Sequence, residues 1–216
     1  LQDPPAAFCS SPLLRPRGAL FVGRADQADA VEELCRRLEA DGCAAERLDS
    51  AGARGLVDVL RPEATKHALL DPGASDIDVD ALLQGYLRGG RAAGVQLLCN
   101  ATVQALNFDG TAWHVEAGSR RFSAGVVINA AGAWVDEVAR IAGVAPIGIE
   151  PCRRSAMVFD PPDGVDSGDW PCVIGIAEDF YFKPEAGLLL GSPANADPVE
   201  PQDVLPEEFD IATAID

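Results

Sequence analysis

Basic residues are scarce in this chain. Its 216 residues include 17 Lys or Arg against 34 Asp or Glu, a formal net charge of −17. Residues 160–216 hold 14 acids and a single base, Lys183, for −13, and the preceding residues hold 20 acids and 16 bases, for −4. Such a surface repels nucleic acid and anionic membranes, so neither is expected as a partner, and its ordinary physical meaning is solubility. No apolar run reaches the roughly 18 residues of a membrane-crossing helix. The start, LQDPPAAFCSSP, lacks an initiator Met, a basic segment and a signal-like apolar run. A chain opening with Leu in mid-pattern is expected to be an excised piece. Histidine is limited to His67 and His114, and Cys9, Cys35, Cys43, Cys99, Cys152 and Cys172 form no C-x-x-C. Zinc requires clustered Cys or His, so no metal site is expected. The cysteines read as small buried hydrophobes in a reducing compartment, which gives a cytoplasmic expectation. Neither G-x-G-x-x-G nor G-x-x-x-x-G-K-[ST] occurs, so both common phosphate loops are missing.

What is present is a mixture of helical and strand patterns, an α+β (mixed α/β) chain. Ala19–Val22 reads as a strand. Asp26 is expected to cap a helix reaching Ala40, with Gly42 just past its end, and a second helical pattern runs from Leu48 to Arg61. Leu69–Ile77, rich in Pro, Gly, Ser and Asp, reads as a loop. A helix from Asp78 or Asp80 to about Ala93 carries Val79, Leu82, Leu83, Tyr86 and Leu87 on one face. Val95–Cys99 follows as an apolar strand. Thr102–Phe108, an Asp109-Gly110 turn and Thr111–Ala117 form a hairpin, with Arg120–Ser123 as a third strand. After Gly143, strands are predicted at Ser155–Asp160, Cys172–Ala177, Phe180–Pro184 and Leu188–Gly191, and the Pro-rich tail from Pro193 covers them or hangs free.

The stretch Val126–Trp134, VVINAAGAW, reads as a buried strand that turns through Ala130, Ala131 and Gly132 into the helix VDEVARIAG. Small residues at a strand-to-helix turn permit close backbone approach, and a helix start offers free N–H groups to an anion or polar ligand. The same composition also serves plain helix–sheet packing. In Phe180–Lys183 the side chains alternate, so Phe180 and Phe182 point to the core and Tyr181 and Lys183 away from it.

VVINAAGAW resembles the corresponding turn of the flavin amine oxidoreductases, the D-amino-acid oxidase (DAO) family. FCSSPLLRPR, DIDVDALLQGYLRG, RRSAMVF, DWP and FYFKPEAGLLLGSPANADPVEPQD extend the likeness, which is strongest to D-arginine-type D-amino-acid dehydrogenases. The resemblance implies a central fragment only: a substrate-binding domain of a DAO-type flavoprotein, at residues 1–75 and 146–216, with a partial FAD-domain segment at 76–145. It implies an FAD-dependent oxidoreductase that converts D-amino acids, or related amines, to imino acids, with FAD bound in the parent and not retained by the fragment. Exposed edges could support a dimer. Alternatives are a glycine or sarcosine oxidase, a glycerol-3-phosphate dehydrogenase relative, or a non-catalytic binding module on the same scaffold.

By matched position, the resemblance implies cofactor contacts at Val103, Ala130, Ala131 and Gly132, and substrate contacts at Tyr181, Arg154, Cys172 and Ile174. Trp134 is read as a packing anchor. No residue is assigned as general acid or base. Arginine-preferring members carry an acid where this chain has Ala19, so the preferred amino acid is expected to be apolar or small.

Overall fold

The computed structural model describes residues 1–5, 7–205 and 207–215. Pro206 and Asp216 of the Pro-rich tail lie outside the described residues. In chain order the elements are β1 (Leu14–Pro16), β2 (Ala19–Gly23), α1 (Ala28–Ala40), β3 (Glu46–Leu48), α2 (Ser50–Leu56), β4 (His67–Asp71), β5 (Ser75–Ile77) and α3 (Val79–Ala92). The meander β6 (Val103–Phe108), β7 (Trp113–Ala117) and β8 (Arg120–Ala124) follows, then α4 (Val135–Ile141) and β9 (Cys152–Arg153). The chain closes with β10 (Met157–Phe159), β11 (Cys172–Gly175), β12 (Tyr181–Glu185), β13 (Leu188–Ser192), β14 (Asp197–Pro198) and α5 (Glu208–Ile215). Two compact units result. One comprises Leu1–Gly89, Arg154–Asn195 and Leu205–Asp216; the other comprises Gly90–Arg153 and Ala196–Val204.

The first unit is built on a mixed seven-stranded sheet, ordered β10-β13-β12-β11-β2-β4-β3. Its centre is the parallel pair β2–β11, with Leu20 opposite Val173, so segments 153 residues apart in sequence meet in one sheet. One sheet face packs Leu20, Val22, Ala68, Val173 and Leu189 against Ala53 and Val57, at and just beyond α2, and against Trp170. The other face takes α1, whose Val31 and Cys35 pack on Leu69, Phe21 and Ile176. At the C-terminal end of α1, Gly42 adopts φ +81°, and Cys43 N donates to Leu38 O at 2.8 Å. This is the left-handed termination that glycine permits.

Local expectations fail in instructive places. No side chain of Asp26 caps α1; a 3-10 turn over Ala25–Gln27 precedes it, and Arg24 N donates to Gln27 Oε1 at 2.8 Å. The second helix is shorter than its pattern, Ser50–Leu56: Asp49 sets its start, accepting from Gly52 N at 2.8 Å, and Val57 leaves the helix with extended backbone. Leu69–Ile77 is not a loop. It contains most of β4 and all of β5, and only the Pro72-Gly73-Ala74 turn between them matches its loop-like composition. In α3, Val79, Leu83 and Tyr86 are exposed, and Gly85 is the buried position, packed against the ring of Phe8.

The second unit contains the expected meander, α4 and the short β9–β14 pair. α4 packs against β6. Val95–Cys99 and Val126–Asn129 form no strand, and Val126 and Ile128 are 75% and 85% exposed. Among the described residues no helix is long and apolar enough to cross a membrane.

Candidate functional site

Cα partners on neighbouring strands present their side chains to the same sheet face. Ala19 pairs with Cys172, and Phe21 with Ile174. Ile174 pairs with Tyr181. Tyr181 pairs with Ser192, and Lys183 with Leu190. These residues therefore form one face, opposite the core face that holds Leu20, Val173 and Phe182. α1 covers the end with Phe21. Toward Cys172, Tyr181 and Lys183 the face is half-buried. Phe182 packs edge-on to Trp170, with ring centroids 6.3 Å apart, and Phe180 also joins the core, so the strand alternation directs Tyr181 away from it. Three predicted substrate residues, Tyr181, Cys172 and Ile174, are thus brought together.

Arg154 is placed separately, exposed, with its Nε donating to Asn195 O at 3.0 Å. Its neighbour Ser155 ties this corner to the sheet: Ser192 Oγ donates to Ser155 O at 2.6 Å, and Ser155 N donates to Asn195 Oδ1 at 3.0 Å. Arg154 is thus linked, through its neighbour Ser155, to the strand that carries Ser192, Tyr181's partner on β13. Asp179, the acid next to Phe180, faces Arg24 at 3.7 Å.

A charge cluster borders Tyr181 that the sequence reading missed. Asp76 Oδ2 accepts from Arg17 Nε at 2.8 Å, and Asp76 Oδ1 accepts from Lys183 Nζ at 2.9 Å. Lys183 Nζ also lies 2.8 Å from Glu185 Oε2. Arg17, with its side chain only 7% exposed, donates through Nη1 to the carbonyls of Gly168 and Trp170, both at 3.1 Å. Burial alone would raise the Asp76 pKa, but hydrogen bonds from Lys183 and Arg17 outweigh it and hold the carboxyl below its usual range. Burial alone would lower the Lys183 pKa, yet Glu185 and Asp76 raise it. Burial pushes the Cys172 thiol up. The cluster lines a cleft of about 640 Å³ together with Leu13, Arg15, Ile77 and Leu190. Asp76 was hidden inside the supposed loop. The available signal was Lys183 itself, the lone base in an acidic tail and in need of a partner.

In the second unit, Val103 opens β6 opposite Ala117, beside a register shift, and is half-buried. Ala130 is exposed, Ala131 half-buried, and Gly132 adopts φ +57° with nothing within 4 Å of where a Cβ would stand. The turn is therefore open, and its backbone suits glycine. Asn129 shapes it: Oδ1 accepts from Ala131 N at 3.3 Å and Nδ2 donates to Val135 O at 2.8 Å. The expected strand-turn-helix is corrected, since a 3-10 turn over Gly132–Trp134 intervenes and α4 has only seven residues. Trp134 is 38% exposed and does not anchor a core. Asp136 is buried and binds a loop, accepting from Ile147 N, Gly148 N and Ile149 N at 3.0, 3.0 and 3.1 Å.

Comparison with known proteins agrees with this architecture. The model of the FAD dependent oxidoreductase family, DAO, matches residues 6–214. Among solved structures, L-proline dehydrogenase from P. horikoshii is similar at TM-score 0.80 and 20% identity, covering 97% of this chain and 56% of that one. Glycine oxidase from Geobacillus kaustophilus gives 0.77 and 18%, covering 94% and 53%. Iminodiacetate oxidase from Chelativorans sp. BNC1 gives 0.74 and 22%, covering 95% and 56%. At these identities the likeness is one of fold, and the chain spans little more than half the length of each.

Two expectations are corrected by the family match. The chain is not to be described as only the central fragment of a D-arginine-type dehydrogenase, and its fold is not merely a substrate-binding domain with a partial FAD-domain segment. The family pattern runs through residues 6–214, across both units. Matched along nearly its whole length, this chain belongs to the FAD dependent oxidoreductase (DAO) family.

Proposed function

We propose that this protein acts in the FAD-dependent oxidation of the carbon–nitrogen bond of an amino acid or a related secondary amine. The observation that carries the reading is the half-buried sheet face that joins Tyr181, Cys172 and Ile174, in a chain of this family. The named substrates of the three similar structures, L-proline, glycine and iminodiacetate, all carry a carboxylate next to the amine-bearing carbon. On this reading Tyr181 donates its phenol hydrogen to that carboxylate, and Arg154 supplies a charge-assisted contact. Cys172 and Ile174 form the apolar wall beside the substrate side chain. D-amino acids are the narrower version of this reading, and glycine-like small amines fit it equally.

Val103, Ala130, Ala131 and Gly132 are assigned to the adenosine side of FAD. They fit that role because the turn is open, lacks bulky side chains and holds a glycine at positive φ. FAD, when bound, would supply the hydride acceptor for the carbon that bears the amine. The protein's own share is to hold the carboxylate, orient the carbon and keep water from the apolar wall. The seven-stranded sheet then serves the substrate and the Gly90–Arg153 segment serves the cofactor.

The test uses the protein encoded by the complete gene. Anaerobic mixing with L-proline, glycine, sarcosine, iminodiacetate, and D- and L-leucine should bleach the flavin absorbance with at least one of them. Stoichiometric flavin that none of these reduces would contradict the reading and favour a non-catalytic binding role.

A further inference from the structure

The row beside Tyr181 carries charges that the proposed chemistry does not use. Lys183 lies two residues beyond Tyr181 on β12, so the two side chains leave the same face roughly 7 Å apart. Continuing the β11–β12 register by one residue puts Lys183 opposite Cys172, and Cys172 is opposite Ala19. That register sets Lys183, and with it the bonded Asp76 and Arg17, beside the apolar wall. Asp76 meets each cation with a different oxygen, and Glu185 takes a second contact on Lys183. Within the cluster two cations meet two carboxylates, and the cleft adds one further charge of each sign, Arg15 and Asp78. An ammonium that is only 25% exposed would attract a ligand carboxylate if it stood alone, whereas a paired one offers little. A cationic ligand is refused as well, because both Asp76 oxygens are engaged and a desolvated charge without a partner is costly.

We propose that Asp76 determines specificity: by masking Lys183 it limits the substrate side chain beside Cys172 and Ala19 to uncharged groups, and its removal admits a second carboxylate. This rests on the reading of the sheet face as the substrate wall.

Asp76→Asn keeps the side-chain shape and removes the charge. With the FAD-loaded protein of the complete gene, kcat/KM is compared within the pairs D-leucine and D-glutamate, and L-leucine and L-glutamate. The wild type should favour the neutral member. Asp76→Asn should raise the dicarboxylate-to-neutral ratio by about tenfold, the scale of one partly screened charge pair. Glu185→Gln, at an exposed position where folding is not at stake, should shift it the same way by less. The double variant Asp76→Asn/Lys183→Met should return it to the wild-type value. A ratio unmoved in both single variants, or a wild type that already prefers the dicarboxylate, overturns the proposal. If the wild type oxidises nothing, the oxidoreductase reading has failed separately. Calorimetric titration of D- and L-glutamate then decides: binding gained by Asp76→Asn over wild type supports the mask, and equal binding overturns it.

Discussion

The two units differ sharply in how they treat apolar sequence. In the first, Leu20, Val57, Leu69 and Val173 are fully buried, and both faces of the sheet receive a helix. In the second, the buried apolar residues are Leu106 and Ala117, whereas Val95, Leu97, Val126, Ile128, Ile147 and Ile149 are all about half exposed or more. Both units carry strand-like apolar runs of similar quality. The difference lies in pairing: β2 finds β4 and β11, and Val126–Asn129 finds no strand neighbour. An apolar run states a capacity for burial, and whether burial follows depends on non-local partners that supply hydrogen bonds and surface.

The largest expected effect tests this contrast directly. Leu20→Ala should destabilise the first unit by roughly 2–5 kcal/mol, because a fully buried side chain leaves a cavity at the centre of the sheet. Ile128→Ala should stay within about 0.5 kcal/mol, as for ordinary surface changes. Urea denaturation followed by tryptophan fluorescence and by NMR of each unit gives both numbers. Similar losses for the two variants would break the comparison.

A smaller effect is expected at Asp49, which caps α2 against the first core. Asp49→Ala should cost about 1 kcal/mol, the usual loss for a removed N-cap, and Asp49→Ser should recover most of it. Absence of any change in the denaturation midpoint would show that packing of Ala53 and Val57 alone holds the helix.

The smallest effect belongs to the second unit and depends on pH. Asp109 accepts from the Thr111 and Ala112 amides, and its Oδ2 lies 2.7 Å from His114 Nε2. The His114 contact leads the causes that hold its carboxyl below the usual range, followed by the backbone bonds. A depressed folded pKa means the contribution is complete above the unfolded value of about 4 and is lost as pH falls through the lower folded value. Amide exchange across the β6–β7 hairpin should therefore quicken on acidification below about pH 4, and Asp109→Asn should remove that dependence. A hairpin equally protected at all acid pH values would count against this.

Much of the fold was legible because it rests on local periodicity. β2, α1, α3, the meander and β11–β13 all follow from alternation or helical spacing. β4 was not, because Pro72, Gly73 and Ser75 gave the whole stretch the look of a loop while Ala68 and Leu69 were deeply buried. At the site, alternation in 180–183 showed which way Tyr181 faces, since two phenylalanines need a core. The pairing of Asp76 with Lys183 and Arg17 was invisible, because 107 residues separate Asp76 from Lys183 and only the folded sheet brings them together. Asn129 and Asp136 were missed for a related reason: their role is to bond nearby backbone, and no residue pattern marks it.

The central claim is that the Tyr181 face of the sheet, with Arg154, binds the substrate carboxylate. Steady-state kinetics on the FAD-loaded protein of the complete gene test it most directly. Tyr181→Phe should weaken substrate binding by roughly 0.5–1.5 kcal/mol, one neutral hydrogen bond, and Arg154→Ala by more, because a charge-assisted contact is lost. Flavin content should stay at the wild-type level in both. Wild-type KM in both variants, with flavin intact, would contradict the account and return Tyr181 and Arg154 to ordinary surface roles.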